Sequence, residues 1–303
     1  MEIALVYMVA GMSSRFGGKI KQLAKVGPNN ETLIEYSLNQ ALKAGFTKIV
    51  FIVGNKTEQP FKEMFGDDYQ GIPVYYAKQE FNPKERDKPW GTVDSLCSAR
   101  KVIDCSFVVC NGDDIYGQEV FRLLTEHINN KKDCATIGYK LGDVLYDKGS
   151  VNRGIFQIKD NKKSQSQQTE EYFLNLKLGT TNCTRVQGIT PSLSNKVLSL
   201  REELGITKDN LKEKMLSEND FCSMNIFALN PKVITQLDKI LTKFKEENKD
   251  NRTIECLLPK ELNELIKNNE LILEIYPTKE KWIGITNPED EEIVRNELKI
   301  KTK

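Results

Sequence analysis

A three-layer α/β/α fold around a mostly parallel sheet is what this chain predicts, and three features predict it. Short apolar runs recur through the first half, at Ile3–Val9, Lys48–Val53, Pro73–Ala77 and Phe107–Cys110. Segments with apolar residues at helical spacing separate them, at Leu33–Ala44, Thr57–Phe65 and Thr92–Val102. Glycines punctuate the boundaries. Runs that do not alternate with polar residues are buried on both faces, which indicates parallel strands covered by helices on either side. Ligands of such sheets bind beyond the carboxyl ends of the strands. The loops after Val9, Ala77 and Cys110 are therefore where chemistry is expected.

Each element has its own warrant. Ile3–Val9 is an apolar run bounded by Gly11. Leu33–Ala44 has the 3.6-residue pattern of a helix and ends at Gly45, a C-cap position. Ile49 to Val53 is unbroken and stops at Gly54. Thr57–Phe65 reads as a helix closed by Gly66, and Pro73–Ala77 as a third strand. Thr92 is an N-cap residue type at the head of Thr92–Val102. Glu119–Asn130 is a polar-faced helix, which places His127 on its surface. In the second half, Ala135–Lys140 and Gly154–Lys159 read as strands. Asp160–Glu171 is a polar tract that reads as a loop or hairpin tip. Phe221–Leu229 is strand-like, Pro231–Phe244 and Ile254–Lys267 are amphipathic helices, Leu271–Tyr276 is a late strand and Glu289–Leu298 a final helix. No internal repeat is visible.

Composition excludes several functions. The chain has 303 residues and a net charge of +1, so no global positive field draws in a nucleic-acid backbone. No run approaches the ~20 apolar residues of a membrane span. Met1–Val6 starts directly as a strand without a basic leader, and the expected location is cytoplasmic. The seven cysteines are scattered, with no C-x-x-C pair, as expected of free thiols in a reducing compartment. There is one histidine, and no nucleophile motif accompanies it. Catalysis would then fall to carboxylates, lysines, arginines and a metal.

Three segments carry the functional signal. After the first strand comes Val9-Ala10-Gly11-Met12-Ser13-Ser14-Arg15-Phe16-Gly17-Gly18-Lys19-Ile20-Lys21-Gln22. Small residues there let backbone N–H groups approach phosphate oxygens, and Arg15 and Lys21 add positive charge. The P-loop ending G-K-[ST] is absent, and so is the dinucleotide pattern G-x-G-x-x-G. Gln79 follows the third strand, and Trp90-Gly91-Thr92-Val93-Asp94 opens a helix. Asn111-Gly112-Asp113-Asp114 follows the fourth strand, where a carboxylate can hold Mg²⁺ together with substrate phosphates.

These segments resemble the sugar-1-phosphate nucleotidyltransferase family. Gly11, Ser14 and Arg15 match its signature G-x-G-[ST]-R, with Ser13 in place of the second glycine, and Lys21 matches its lysine. Gly91-Thr92-Val93 resembles the family's base-binding segment. Arg15-Phe16-Gly17-Gly18 and Val26-Gly27-Pro28-Asn29-Asn30-Glu31-Thr32 are most similar to the stand-alone N-acetylglucosamine-1-phosphate uridylyltransferase-like branch. One inserted residue leaves Lys19 and Lys21 competing for the signature position.

The resemblance implies a Rossmann-like fold of the nucleotide-diphospho-sugar transferase type, with a mixed sheet. It implies one domain over 1–303, residues 1–130 forming the nucleotide-binding half and 131–303 the sugar-binding half. Arg15 and Lys21 would stabilise the leaving pyrophosphate, and Asp113, with Asp114 as second choice, would hold Mg²⁺. Ala10, Gly11, Met12, Ser13, Ser14, Gln79, Gly91 and Thr92 would bind the nucleotide. Gly154, Glu202 and Asn225 would bind the sugar. The second metal aspartate of the family falls on Gly284, which cannot ligate; Thr286 and Asp290 remain as alternatives, Asp290 also reading as a first-turn helix residue. The implied reaction is uridylyl transfer from UTP to N-acetylglucosamine 1-phosphate. Glucose 1-phosphate with UTP or dTTP, a cytidylyltransferase acting on a phosphorylated alcohol, and a catalytically inactive nucleotide-binding regulator are the other readings.

Overall fold

The computed structural model describes residues 1–11, 16–146, 149–159, 195–285, 288 and 290–301. In chain order the elements are β1 (Ile3–Met8), α1 (Leu33–Leu42), β2 (Lys48–Val53), α2 (Glu58–Phe65), β3 (Asp68–Tyr69), β4 (Ile72–Lys78), α3 (Thr92–Ser98), β5 (Ser106–Asn111), β6 (Asp114–Ile115), α4 (Gln118–Asn130), β7 (Cys134–Lys140), β8 (Val151–Ile158), β9 (Asn195–Ile206), β10 (Phe221–Ser223), β11 (Phe227–Leu229), α5 (Pro231–Glu247), α6 (Leu258–Lys267), β12 (Leu273–Pro277), β13 (Ile283–Gly284) and α7 (Asp290–Lys301).

Eleven strands form one sheet in the order β10-β8-β9-β12-β7-β11-β5-β1-β2-β4-β3. β1 lies parallel to both β2 and β5, and β2 parallel to β4. Every residue of β2 is buried, as its unbroken apolar run demands. β4 instead alternates in exposure, because only the two-residue β3 covers its outer edge. β11 runs antiparallel between β5 and β7 and joins the two halves of the sheet. β12 returns parallel to β7, while β8 and β9 form an antiparallel pair beyond it.

Alternate side chains of the central strands feed two cores. Leu5, Tyr7, Ile49 and Phe51 pack with Ile34 and Leu38 of α1, Phe61 of α2 and Phe121 of α4. Val6, Val50 and Ile52 pack with Leu96 of α3, Leu237 of α5 and Leu262 of α6. These are the three layers. A smaller cluster (Phe16, Leu33, Ile115, Ile283, Val294 and Leu298) seats α7 against the two-stranded sheet of β6 and β13.

Local chemistry explains several boundaries. α1 starts at a capping box in which Thr32 and Glu35 satisfy each other's backbone. α5 starts with Asn230 accepting from Lys232 N and with Pro231 in its first turn.

Three expectations are corrected. Phe221–Leu229 is two strands, not one: Asn225 adopts φ 56°, and the chain passes from the β8 side of the sheet to the β5 side. His127 is buried, not on the surface. Its Nε2 lies 2.7 Å from the Asp133 carbonyl and its Nδ1 3.0 Å from the Tyr276 hydroxyl. A carbonyl only accepts, so Nε2 carries the proton and Nδ1 receives the tyrosine O–H. Thr92 does not cap its own helix. Gly91 is the N-cap of α3, and Thr92 Oγ1 accepts at 2.7 Å from Leu258 N at the head of α6. The hydroxyl thereby satisfies an orphan donor of the neighbouring helix. The tract at Asp160–Glu171 lies outside the described residues.

Candidate active site

The carboxyl ends of β1, β4 and β5 open onto one cavity of about 580 Å³, lined by Ala10, Gly11, Lys21, Gln79, Gly91, Thr92, Asn111 and Asp113 among others. A second cavity of about 750 Å³ is lined by Arg153, Gly154, Glu202, Asn225 and Trp282. Thr92, Asn111 and Asp113 line both. The two hollows therefore meet at the tip of β5, one on the side of the first half of the chain and one on the side of the second.

The meeting point is charged. Lys21, in a short 3-10 turn at Lys21–Leu23, places its ammonium on the Asp113 carboxylate. Lys19 is exposed to solvent. Of the two competing lysines, Lys21 is the one at the cavity. Asp114, the next residue, is buried and accepts at Oδ2 from Asn111 Nδ2 (2.9 Å) and Tyr116 Oη (3.2 Å). Burial raises the Asp114 pKa, and the adjacent Asp113 charge raises it further.

The position of Gly284 has a steric explanation. It pairs with Asp114 across β13 and β6. A Cβ there would come within 2.4 Å of the Trp282 ring and 2.6 Å of Asp114 Oδ1. A carboxylate cannot grow from residue 284; the Asp114 carboxylate already occupies that space. Asp290 is the first residue of α7, and Thr286 lies outside the described residues.

This donor set fits a magnesium ion held by one or two carboxylates and by substrate phosphates, and not an all-protein cage. Asp113 and Asp114 supply hard oxygen ligands at the cavity. The one group of three potential ligands among the described residues is Glu2, Asp104 and Cys105. It lies at the opposite, amino-terminal ends of the strands, where Lys48 pairs with both carboxylates.

The loop before α3 is fixed by close packing. Gly91 has φ 99°, and a Cβ on it would stand 2.6 Å from the Cys256 carbonyl oxygen, so no larger residue fits. Trp90 O and Cys256 N bond at 2.7 Å, and Val93 N reaches Cys256 O at 3.1 Å. Arg86 stacks on Trp90, its guanidinium carbon 3.4 Å from the ring centroid, and holds the carbonyls of Asn251 and Ile254.

On the other side, sheet register assembles Gly154, Glu202 and Ser223. Gly154 lies opposite Glu202 in β8 and β9, and opposite Ser223 in β10. Asn225 follows at the break before β11. Glu203 is held by Arg201 at 2.8 Å, and Glu202 faces the cavity.

Of the residues expected from sequence, Ala10, Gly11, Lys21, Gln79, Gly91, Thr92, Asp113, Gly154, Glu202 and Asn225 all line these two connected cavities. Met12, Ser13, Ser14 and Arg15 lie outside the described residues. Sequence reasoning missed Lys260, Asn263 and Glu264 of α6, which also line the second cavity. Their i, i+3, i+4 spacing puts them on one polar face, but nothing in the spacing says that this face meets a cavity and not solvent.

Residues 18–145 match the nucleotidyl transferase family model. No curated protein matches the chain. A UDP-glucose pyrophosphorylase solved with UDP-glucose superposes with a TM-score of 0.65 at 13% identity, covering 99% of this chain and 100% of that one. A UTP-bound UGPase from Acinetobacter baumannii gives 0.63 at 13% identity, covering 99% and 94%. An inositol-1-phosphate CTP transferase from T. maritima gives 0.59 at 14% identity, covering 99% and 96%. At such identities the likeness establishes the shared fold alone. With the family match lying over the segment that carries Lys21, Gln79, Gly91 and Asp113, residues 18–145 are similar to the nucleotidyl transferase family, and the chain has a Rossmann-like nucleotide-diphospho-sugar transferase fold.

Proposed function

We propose that this enzyme transfers a uridylyl group from UTP to a hexose 1-phosphate, with N-acetylglucosamine 1-phosphate the first candidate and glucose 1-phosphate the second, and releases pyrophosphate. The observation that carries the reading is the junction at Thr92, Asn111 and Asp113, which joins two cavities around one ion pair. A triphosphate in the first cavity and a sugar phosphate in the second would meet there. The fold likeness adds support, since its members include enzymes of UDP-glucose.

An anionic oxygen of the sugar phosphate attacks the α-phosphorus in line. A new P–O bond forms, the bond between the α-phosphorus and the bridging oxygen breaks, and pyrophosphate departs with that electron pair. The nucleophile is already ionised, so no general base is needed. Catalysis comes from positioning and charge. Lys21, with Arg15, neutralises the departing pyrophosphate. Asp113, with Asp114, would hold magnesium, which when bound withdraws charge from the phosphates. Glu202, Asn225 and the Gly154 backbone would position the sugar.

The test is a matrix of four nucleoside triphosphates against several sugar 1-phosphates with Mg²⁺, read as pyrophosphate formed. Turnover confined to UTP and a hexose 1-phosphate supports the proposal. Turnover confined to CTP with a phosphorylated alcohol would replace it, a choice kept open by the CTP transferase that shares the fold.

A further inference from the structure

Gln79 sits just beyond β4, nearly buried, with its backbone N–H tied to Val53 O at 2.9 Å. Its side-chain Nε2 lies 3.1 Å from the Gly91 carbonyl and 2.9 Å from Asp94 Oδ2. Both neighbours are pure acceptors, so the group facing them is the NH₂ whichever way the amide is drawn. The carbonyl Oε1 must then point the other way. Gln79 lines the first cavity, and among the described residues no hydrogen bond is made to Oε1.

Asp94 is itself fixed. It is buried on α3, and its second oxygen is held by the Lys245 ammonium from α5. Lys245 can only donate. Asp94 therefore accepts from both Lys245 and Gln79, and together with the Gly91 carbonyl it holds the Gln79 NH₂ so that Oε1 is turned toward the cavity.

We infer that Asp94, backed by Lys245, is a positioning residue that sets base selectivity by locking the Gln79 amide. The fixed acceptor suits a pyrimidine with an N–H at the centre of its pairing edge, as uracil and thymine have at N3. In the same pose cytosine turns the N3 lone pair toward Oε1, and two acceptors repel. The inference rests on the proposed nucleotide site and specifies which base that site takes.

Asp94→Asn is the decisive variant because it keeps the shape and sets a donor where Gln79 Nε2 now meets an acceptor. Lys245 claims the Asn oxygen and the Asn NH₂ faces Gln79, so the Gln79 NH₂ keeps the Gly91 carbonyl but meets a donor in place of the Asp94 acceptor, and the amide is no longer locked in one orientation. Binding of UTP, CTP and 3-methyl-UTP, which lacks the N3 proton, is measured by titration calorimetry on wild type and variant.

Wild type should bind UTP about ten-fold or more tightly than CTP or 3-methyl-UTP, the scale of one unmatched buried hydrogen bond. Asp94→Asn should lower that ratio, while the KM for the sugar phosphate stays unchanged. An unchanged UTP-to-CTP ratio in the variant overturns the inference. So does wild-type binding of 3-methyl-UTP as tight as that of UTP, a measurement that stands even if the variant does not fold. In both cases the nucleotide site survives. Absence of binding by any nucleoside triphosphate would instead overturn the proposed function.

Discussion

Lys21 and Asp113 form an ion pair at the point where the two cavities join. The lysine arrives from the loop after β1 and the aspartate from the tip of β5. These strands are parallel neighbours, so their carboxyl ends deliver opposite charges to one place.

Removing either partner should cost about 10²-fold or more in turnover, the scale of losing one preorganised contact to developing charge. Lys21→Ala and Asp113→Ala are compared by pyrophosphate release at saturating substrates. Lys19→Ala, on the exposed neighbour, should stay within about two-fold of wild type, as a solvated surface change does. A larger loss in Lys19→Ala than in Lys21→Ala would reverse the assignment of the working lysine.

Thr92 links two helices through one hydroxyl. Thr92→Val removes the acceptor that satisfies Leu258 N and leaves an orphan donor at the head of α6. The expected loss is about 1 kcal/mol, typical of a lost N-cap. Urea midpoints measure it, and Thr92→Ser should retain most of the stability because the oxygen remains.

His127 predicts how stability depends on pH. Burial lowers its pKa below the ordinary value, and the Asp133 carbonyl offsets this only partly. As pH falls, the unfolded chain therefore takes up the proton before the folded chain does. The stabilisation is complete above about pH 6.5, the unfolded value, and is lost as pH falls through the lower folded value. Melting temperature should fall between pH 7 and pH 5. In His127→Gln it should be lower at pH 7 but flatter across the same range.

Much of this was legible in the sequence for a physical reason: buried parallel strands announce themselves. Val6, Val50 and Val108 lie in runs that need no partner to be identified, and the glycine and aspartate motifs that follow are fixed by strand direction. Legibility failed where pairing decides the outcome. β6 and β13 are two residues each and carry no periodicity. β9 alternates in exposure, yet its polar composition hides it. The burial of His127 depends on Tyr276, 149 residues away. Thr92 was a sound cap by type, but its hydroxyl serves a helix 166 residues further on.

Gly284 gives the last test, because it separates a missing metal ligand from a displaced one. The space for a side chain at 284 is filled by the Trp282 ring and by Asp114 Oδ1. Adding even a methyl group overpacks this contact, and Gly284→Ala should lose about 1–3 kcal/mol in urea denaturation. Gly284→Asp should lose more, since the new carboxylate must also sit against the buried Asp114 charge, and it should not raise turnover. If Asp114 fills the role that a carboxylate at 284 would have, Asp114→Asn should raise the Mg²⁺ concentration for half-maximal pyrophosphate release by about ten-fold or more, the scale of a hydrogen-bonded or ligating charge lost from a site. An Asp114→Asn enzyme with an unchanged magnesium requirement would leave Asp113 as the one carboxylate ligand among the described residues.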